Sequence, residues 1–400
     1  MTTTILGNGH NLSISDNNGN GDTIIAGNGD DDTAAADSSQ YDMIILGNGA
    51  GDIVRALGKV GDPALPGSQY DTITLGNGRG DMVNLFGAFN DTITLGNGAG
   101  DMVSATPDLS DFSSRYDTIT LGNGAADTVR LDNSQGDTIT LGNGAGDAVS
   151  ITGFYPSSGD RITVGNGAGA SINVSYTYDS ANTIVVGDGA RDSVLFAGSN
   201  NSIKVSDGAS DVVSYSYGVD NTISVGNGEA DVVTMGFGSN NTVILGNGAN
   251  DEVNNDGRTP GGYNTITLGN GAGDVVNDAG ANDTITVGNG ADTVTAGAGS
   301  TITLGNGADT VTTISSLING GHGHDTFVFT GSFGLDTITN FNPAHDNIAL
   351  AQAMFANFGA VQSHMMQVGA NTVITYDPAD MITLTDVKAS SLQAGDFKFV

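Results

Sequence analysis

The sequence predicts an all-β chain: a parallel β-solenoid of about fifteen coils, each of roughly 20 residues, followed by a small β-rich C-terminal cap. Three observations predict it. The tripeptide Gly-Asn-Gly recurs, most often at intervals of 20 residues. Each interval divides into two halves of ten, and each half opens on Asp or Asn and carries a short apolar–polar alternation. Repetition at this period marks stacked supersecondary units, none of which buries a core alone.

The turn begins at Gly7, Gly27, Gly47, Gly76, Gly96, Gly122, Gly142, Gly165, Gly226, Gly246, Gly269, Gly288 and Gly305, with degenerate copies at Gly187 and Ser206. The unit from Asp71 reads DTITLGNGRG, then DMVNLFGAFN. Strand alternation puts Ile73 and Leu75 on the inner face of the first half, with Thr72 and Thr74 outside. Val83 and Leu85 face inward in the second half. Gly and Asn of the turn are expected to supply positive φ angles. Longer intervals contain insertions after Leu57, Ala105, Thr152 and Asn254, all in the second turn, among them KVGDPALPGSQ and TPDLSDFSSR. The repeats fill residues 1–317, and residues 318–400 form a second region.

The chain has 62 Gly, 7 Pro, no Cys and a net charge of −33. Such acidity opposes nucleic acid and anionic membranes and favours cations. No apolar run is long enough to cross a bilayer, and no N-terminal signal peptide is visible.

Stacking equal coils lines up equal residues. The column after the Gly-Asn-Gly turn reads Asp32, Asp52, Asp81, Asp101, Asp127, Asp147, Ala170, Asp192, Asp211, Asp231, Asp251, Asp274, Asp292 and Asp309. Like charges ~5 Å apart repel by roughly 1 kcal/mol per pair in water, and by more when buried. Over a dozen coils this rivals a domain's stability of ~5–15 kcal/mol. Calcium held by carboxylates and turn carbonyls would offset it, so this column is the expected metal edge. A second column runs Asp22, Asp42, Asp71, Asp91, Asp117, Asp137, Asp160, Asn182, Asn201, Asn221, Asn241, Asn264, Asp283 and Ser300. Asn replaces Asp freely there, which reads as a hydrogen-bonding position that caps a turn.

Gly320 to Phe329, GGHGHDTFVF, matches the nonapeptide G-G-x-G-x-D-x-U-x at Gly320, Gly321, Gly323, Asp325 and Phe327. It resembles the calcium-binding repeat of the RTX (repeats-in-toxin) family. Asp336 to Leu350, Asn371 to Val387 and the closing DFKFV resemble the C-terminal region of RTX proteins exported by type I secretion. The resemblance implies a parallel β-roll and several Ca²⁺ ions, with Gly320, Gly323 and Asp325 among the ligands. It also implies an uncleaved export signal read by the type I secretion machinery, and an extracellular or cell-surface destination in a Gram-negative bacterium. The main repeat, LGNGAGDxV, resembles RTX-related β-strand repeat proteins more than the standard roll. Its glycines stand first, third and fifth in the frame, against first, second and fourth in the family.

No G-x-S-x-G, H-E-x-x-H, P-loop or Rossmann pattern occurs, and a non-enzyme is expected. His322 and His324 occupy variable places of the nonapeptide and read as exposed loop residues. Tyr176, Tyr178, Tyr215 and Tyr217 are expected to point outward, as surface filler or as an aromatic contact patch. Thr72/Thr74, Thr92/Thr94, Thr118/Thr120, Thr138/Thr140 and Thr265/Thr267 would stack as T-x-T ladders, a pattern that suits ice binding. Thr also simply suits strands. The sequence therefore points to a secreted, calcium-binding structural protein that associates with itself end to end in a fibre, biofilm matrix or surface layer. The alternatives are an adhesin that binds cell-surface polysaccharide through the inserted loops, and an ice-binding solenoid.

Overall fold

The computed structural model describes residues 2–17, 20–37, 40–57, 68–106, 114–153, 158–175, 180–257 and 262–400. The insertions after Leu57, Ala105, Thr152 and Asn254, and Tyr176 and Tyr178, fall wholly or mainly outside the described residues. Nearly every element is a strand, and the chain is a parallel β-solenoid of about 16 turns with a β-rich C-terminal region. It divides into two compact units, Met1–Ser216 and Tyr217–Val400.

In the first unit, one sheet stacks the strands that precede the Gly-Asn-Gly turns. Thr72–Thr74 pairs in parallel with Thr92–Thr94, which pairs with Thr118–Thr120 and then Thr138–Leu141, always like with like. The second sheet stacks the strands that follow the turns: Met82–Phe86, Met102–Thr106, Thr128–Asp132 and Ala148–Thr152. A short third ladder joins Ala88–Phe89, Ser114–Arg115 and Ser134–Gln135 at the second turn.

The period-two pattern sets the core. Ile73, Leu75, Val83 and Leu85 are buried, and Ile93, Leu95, Val103 and Ala105 repeat the arrangement one coil on. Each coil thus supplies only a few aliphatic side chains, and a continuous apolar interior exists only through stacking. Tyr215 departs from its expected outward place. It is buried against Phe196, with ring centroids 5.4 Å apart, because its strand alternates from Val213 inward. Tyr217 is exposed as expected.

The second unit has both kinds of ladder. Thr265–Thr267, Thr284–Thr286, Thr301–Thr303 and Leu317–Asn319 stack in parallel, and so do Thr293–Ala296, Thr310–Thr312 and Thr326–Phe329. The segment at Gly320 makes a further coil: the His322 amide donates to the Gly305 carbonyl at 2.9 Å. Phe327 is fully buried and lies 6.0 Å from the Phe341 ring. Beyond it, Leu335–Thr339 takes Asp380–Leu384 as a parallel neighbour, and the antiparallel strands Asn371–Asp377 and Met365–Val368 follow. One short helix, Phe358–Ser363, is capped by the Asn357 side chain.

The turn glycines have a different cause from the one the sequence suggests. Those of the Gly-Asn-Gly triplets do not stand at positive φ; the left-handed residues are the ones just before each Asp, such as Gly80 and Gly100 at 73° and 79°. The triplet glycines are required by coil spacing. A Cβ on Gly98 would lie 1.4 Å from the Gly78 carbonyl oxygen of the neighbouring coil. The asparagines between them form an exposed ladder of their own: the Asn97 amide and side chain both donate to Asn77 Oδ1, at 2.9 and 3.0 Å.

Candidate cation-binding columns

Both aspartate columns are buried, one at the start of each sheet's strands. The backbone dictates why. The strands hydrogen-bond coil to coil, but the amide of the residue that opens each strand meets a turn instead of a carbonyl, and a buried amide without an acceptor is costly. The carboxylate of the next coil supplies the acceptor. In the first column the amides of Asp32, Asp52, Asp81, Asp101 and Asp127 donate to Oδ1 of Asp52, Asp81, Asp101, Asp127 and Asp147 at 3.0–3.1 Å. Asp192 caps Ala170, and Asp211 caps Asp192. In the second unit Asp231, Asp251, Asp274, Asp292 and Asp309 donate in turn to Asp251, Asp274, Asp292, Asp309 and Asp325. Asp325 then donates to Asp346, a member of the column that the sequence reading missed because its turn has lost the glycine triplet.

The second column does the same work. Asp71, Asp91, Asp117 and Asp137 donate to Asp91, Asp117, Asp137 and Asp160 at 2.7–2.9 Å. Asp160 donates to Asn182, and Asn182 to Asn201. An amide oxygen replaces a carboxylate oxygen here without loss of the bond. The hydrogen-bonding role inferred for this column therefore belongs to both.

The columns differ in degree at their second oxygen: in the second column Oδ2 of Asp42, Asp91, Asp137 and Asp283 is buried without a donor, but serines reach three of its other members. Ser68, Ser114 and Ser134 donate hydroxyls to Oδ2 of Asp71, Asp117 and Asp160 at 2.7–2.8 Å. The S-x-x-D spacing at Ser68 and Ser114 is legible in the sequence and carries this signal. In the first column Oδ2 of Asp32, Asp52, Asp81, Asp101, Asp127, Asp147, Asp192, Asp251, Asp274, Asp292, Asp309 and Asp325 is buried with no hydrogen-bond donor.

Burial pushes these groups up. Asp81 is raised from the ordinary 3.8 to about 7, by desolvation first and by the charges of Asp101 and Asp52, against the stabilising amides of Asp52 and Gly51. Asp52, Asp101, Asp147, Asp192, Asp251 and Asp292 rise to about 6 from burial. Asp325 rises to about 7 by the same cause, with Asp346 and Asp309 adding repulsion. In the second column Asp91 reaches about 8, again mainly by burial and then by Asp117. A row of this kind can relieve its charge by taking up protons or by taking up cations.

The donor set suits a hard cation. A Cβ on Gly78 would lie 1.6 Å from the Gly49 oxygen and 2.9 Å from Asp81 Oδ1, so a carboxylate and a carbonyl oxygen border the same turn. The carbonyl of the first triplet glycine is already engaged by the next coil: Gly76 donates to the Gly47 oxygen at 2.9 Å. Calcium asks for 6–8 oxygens. Among the described residues no three His, Cys, Asp or Glu side chains are gathered in metal-holding positions. A bound ion would draw on orphan Oδ2 atoms, carbonyl lone pairs and water. At the nonapeptide, Gly320 and Gly323 flank the turn leading to Asp325. The Gly320 amide donates to Thr339, and a Cβ on Gly323 would lie 1.7 Å from the Gly307 oxygen.

The Thr pairs stack as expected. Thr72, Thr92, Thr118 and Thr138 form one rank and Thr74, Thr94, Thr120 and Thr140 another, until Arg161 enters the first. Fold and columns together define a parallel β-solenoid repeat protein with two buried acidic ladders. No protein-family model matches the chain, and no curated protein matches it. No helix among the described residues is long and apolar enough to cross a membrane.

Proposed function

We propose that this is a calcium-binding structural protein of the extracellular space, whose first aspartate column takes up divalent cations. One observation carries the reading: a dozen buried carboxylates, seven in the first unit and five in the second, each with one oxygen bonded to a neighbouring coil and the other without a donor. At neutral pH such a row is a poor resting state for a fold, and oxygen-seeking cations are its natural complement. Export by type I secretion, suggested by the C-terminal segments, would deliver the chain to a calcium-rich medium.

Assembly belongs to the same proposal. A net charge of −33 keeps copies apart, and divalent cations remove that barrier, so fibres, matrix or layers would form only when calcium is present. The test is a Ca²⁺ titration at pH 8 followed by circular dichroism, isothermal calorimetry and electron microscopy. Binding of several ions with a gain in strand signal or melting temperature supports the reading. An unaltered protein in Ca²⁺ and in EGTA overturns it.

A second reading rests on the Thr ranks, whose register gives a regular polar strip. Such a strip suits ice or an extended polysaccharide. Ice-growth assays and a glycan array test it directly.

A further inference from the structure

We infer that His324 and His345 form a chelating pair for one borderline transition-metal ion, Zn²⁺, Ni²⁺ or Cu²⁺, independent of any cation in the aspartate columns.

Stacking brings the two histidines together. Each stands immediately before an aspartate of the first column, His324 before Asp325 and His345 before Asp346. The Asp325 amide donates to Asp346 Oδ1 at 3.0 Å, and Thr326 pairs with Asn347, so the two histidines occupy equal places in successive coils. Their ring centroids are 4.7 Å apart, with planes at 78°. An ion bound by two imidazole nitrogens at about 2.0–2.1 Å leaves the ring centres about 5 Å apart. Both side chains are exposed, so a modest rotation of either converges the nitrogens.

The residues at this place in other coils make the pair stand out. Gly51, Gly80, Gly100, Ala126, Gly146 and Ala230 hold no metal donor, Asp31, Ser210 and Asn250 offer only oxygen, and no other column aspartate is preceded by an imidazole. Two successive imidazoles at one place are the departure, and imidazole selects zinc, copper or nickel over calcium. The surroundings add charge and room. Asp346 directly follows His345 and puts a carboxylate beside the pair. Its oxygens already accept the amides of Asp325 and Asn342, which fix the carboxylate as a charge partner beside the ion. A cavity of about 580 Å³, lined by His345, Asp346, His322, Asn342 and Asp386 but not by His324, opens on the His345 side, and the exposure of both imidazoles leaves water free to complete the coordination.

The test is competition for Zn²⁺ between the full-length protein and a chromogenic chelator, in excess Ca²⁺ so that the columns are satisfied. The wild type should bind one Zn²⁺ tightly. His324→Ala and His345→Ala should each weaken it by at least about tenfold, since even removing a ligand's supporting partner costs 10–100-fold. His322→Ala, across the cavity, should bind as the wild type does. Far-UV circular dichroism and the Gln variants at both positions separate ligand loss from misfolding. No Zn²⁺ binding by the wild type, binding that survives both substitutions, or equal loss in His322→Ala overturns the inference.

Discussion

The Ser114 hydroxyl donates to Asp117 Oδ2 at 2.7 Å, and this bond distinguishes Asp117 from its column neighbour Asp91. Both carboxyls are buried. Asp117 is raised to about 6, with Ser114 the leading counterweight to desolvation, whereas Asp91, pushed up by burial and then by Asp117, with Ser68 its smallest relief, is raised to about 8. Ser114→Ala should therefore push Asp117 further up and destabilise the fold by about 1–3 kcal/mol at pH 8, the cost of leaving a buried acceptor unmade. The loss should shrink at pH 5, where the carboxyl is protonated. Urea unfolding of both proteins at the two pH values measures it.

The columns also set the pH dependence of the whole fold. Their folded pKa values lie above the ordinary 3.8, at about 6 for Asp101 and Asp147, about 7 for Asp81 and Asp325, and about 8 for Asp91. The folded state thus binds more protons than the unfolded one between about pH 4 and 8, and stability must rise as pH falls through that window. Urea midpoints in EDTA should be higher at pH 5 than at pH 8. The same measurement in Ca²⁺ should be flatter if cations replace the protons. A midpoint in EDTA that climbs with pH contradicts the raised pKa values.

Substitution by Asn separates the two columns. Asp137 is raised well above 3.8 by burial and then by Asp117 and Asp160, and an Asn at its place keeps the oxygen that caps Asp117. Asp137→Asn should stabilise the calcium-free protein at pH 8 without changing Ca²⁺ stoichiometry. Asp101→Asn keeps the cap on Asp81 but removes a charge from the proposed metal edge, so calorimetry should record weaker or fewer Ca²⁺ ions.

Two glycines two residues apart test the coil spacing. Gly98→Ala would drive a Cβ to 1.4 Å from a neighbouring carbonyl and should destabilise severely, through backbone displacement. Gly100→Ala meets nothing within 4 Å and suffers only its φ of 79°, which costs about 1–2 kcal/mol. Thermal melts of the two variants should differ widely.

The fold was legible because the strand period and the turn period reinforce one another in every coil, from Ile73 and Leu75 to Ile302 and Leu304. The site was half legible. Which residues form the columns follows from counting, but their hydrogen bonds do not, since each bond joins residues that only stacking makes adjacent. Asp and Asn drifting in the second column disclosed a hydrogen-bonding role there. The same role in the first column was hidden because Asp hardly varies, and a uniform charge suggested only a metal. Tyr215 and Tyr217 share one parity, yet only Tyr215 follows Val213 into the core, because the inward alternation ends at Ser216. The pairing of His324 with His345, 21 positions apart, needed the coordinates.

The ladders also bear on how such a chain can change length. Each internal coil offers its amides to one neighbour and its acid oxygens to the other, so removing a whole unit of about 20 residues rejoins matching surfaces. Removing half a unit would set a strand of one sheet beside a strand of the other and break every ladder at the scar. Slippage and recombination between near-identical stretches such as Asp71–Gly80 and Asp91–Gly100 should therefore yield functional size variants in whole-coil steps, which makes extent the most freely inherited variable of this architecture.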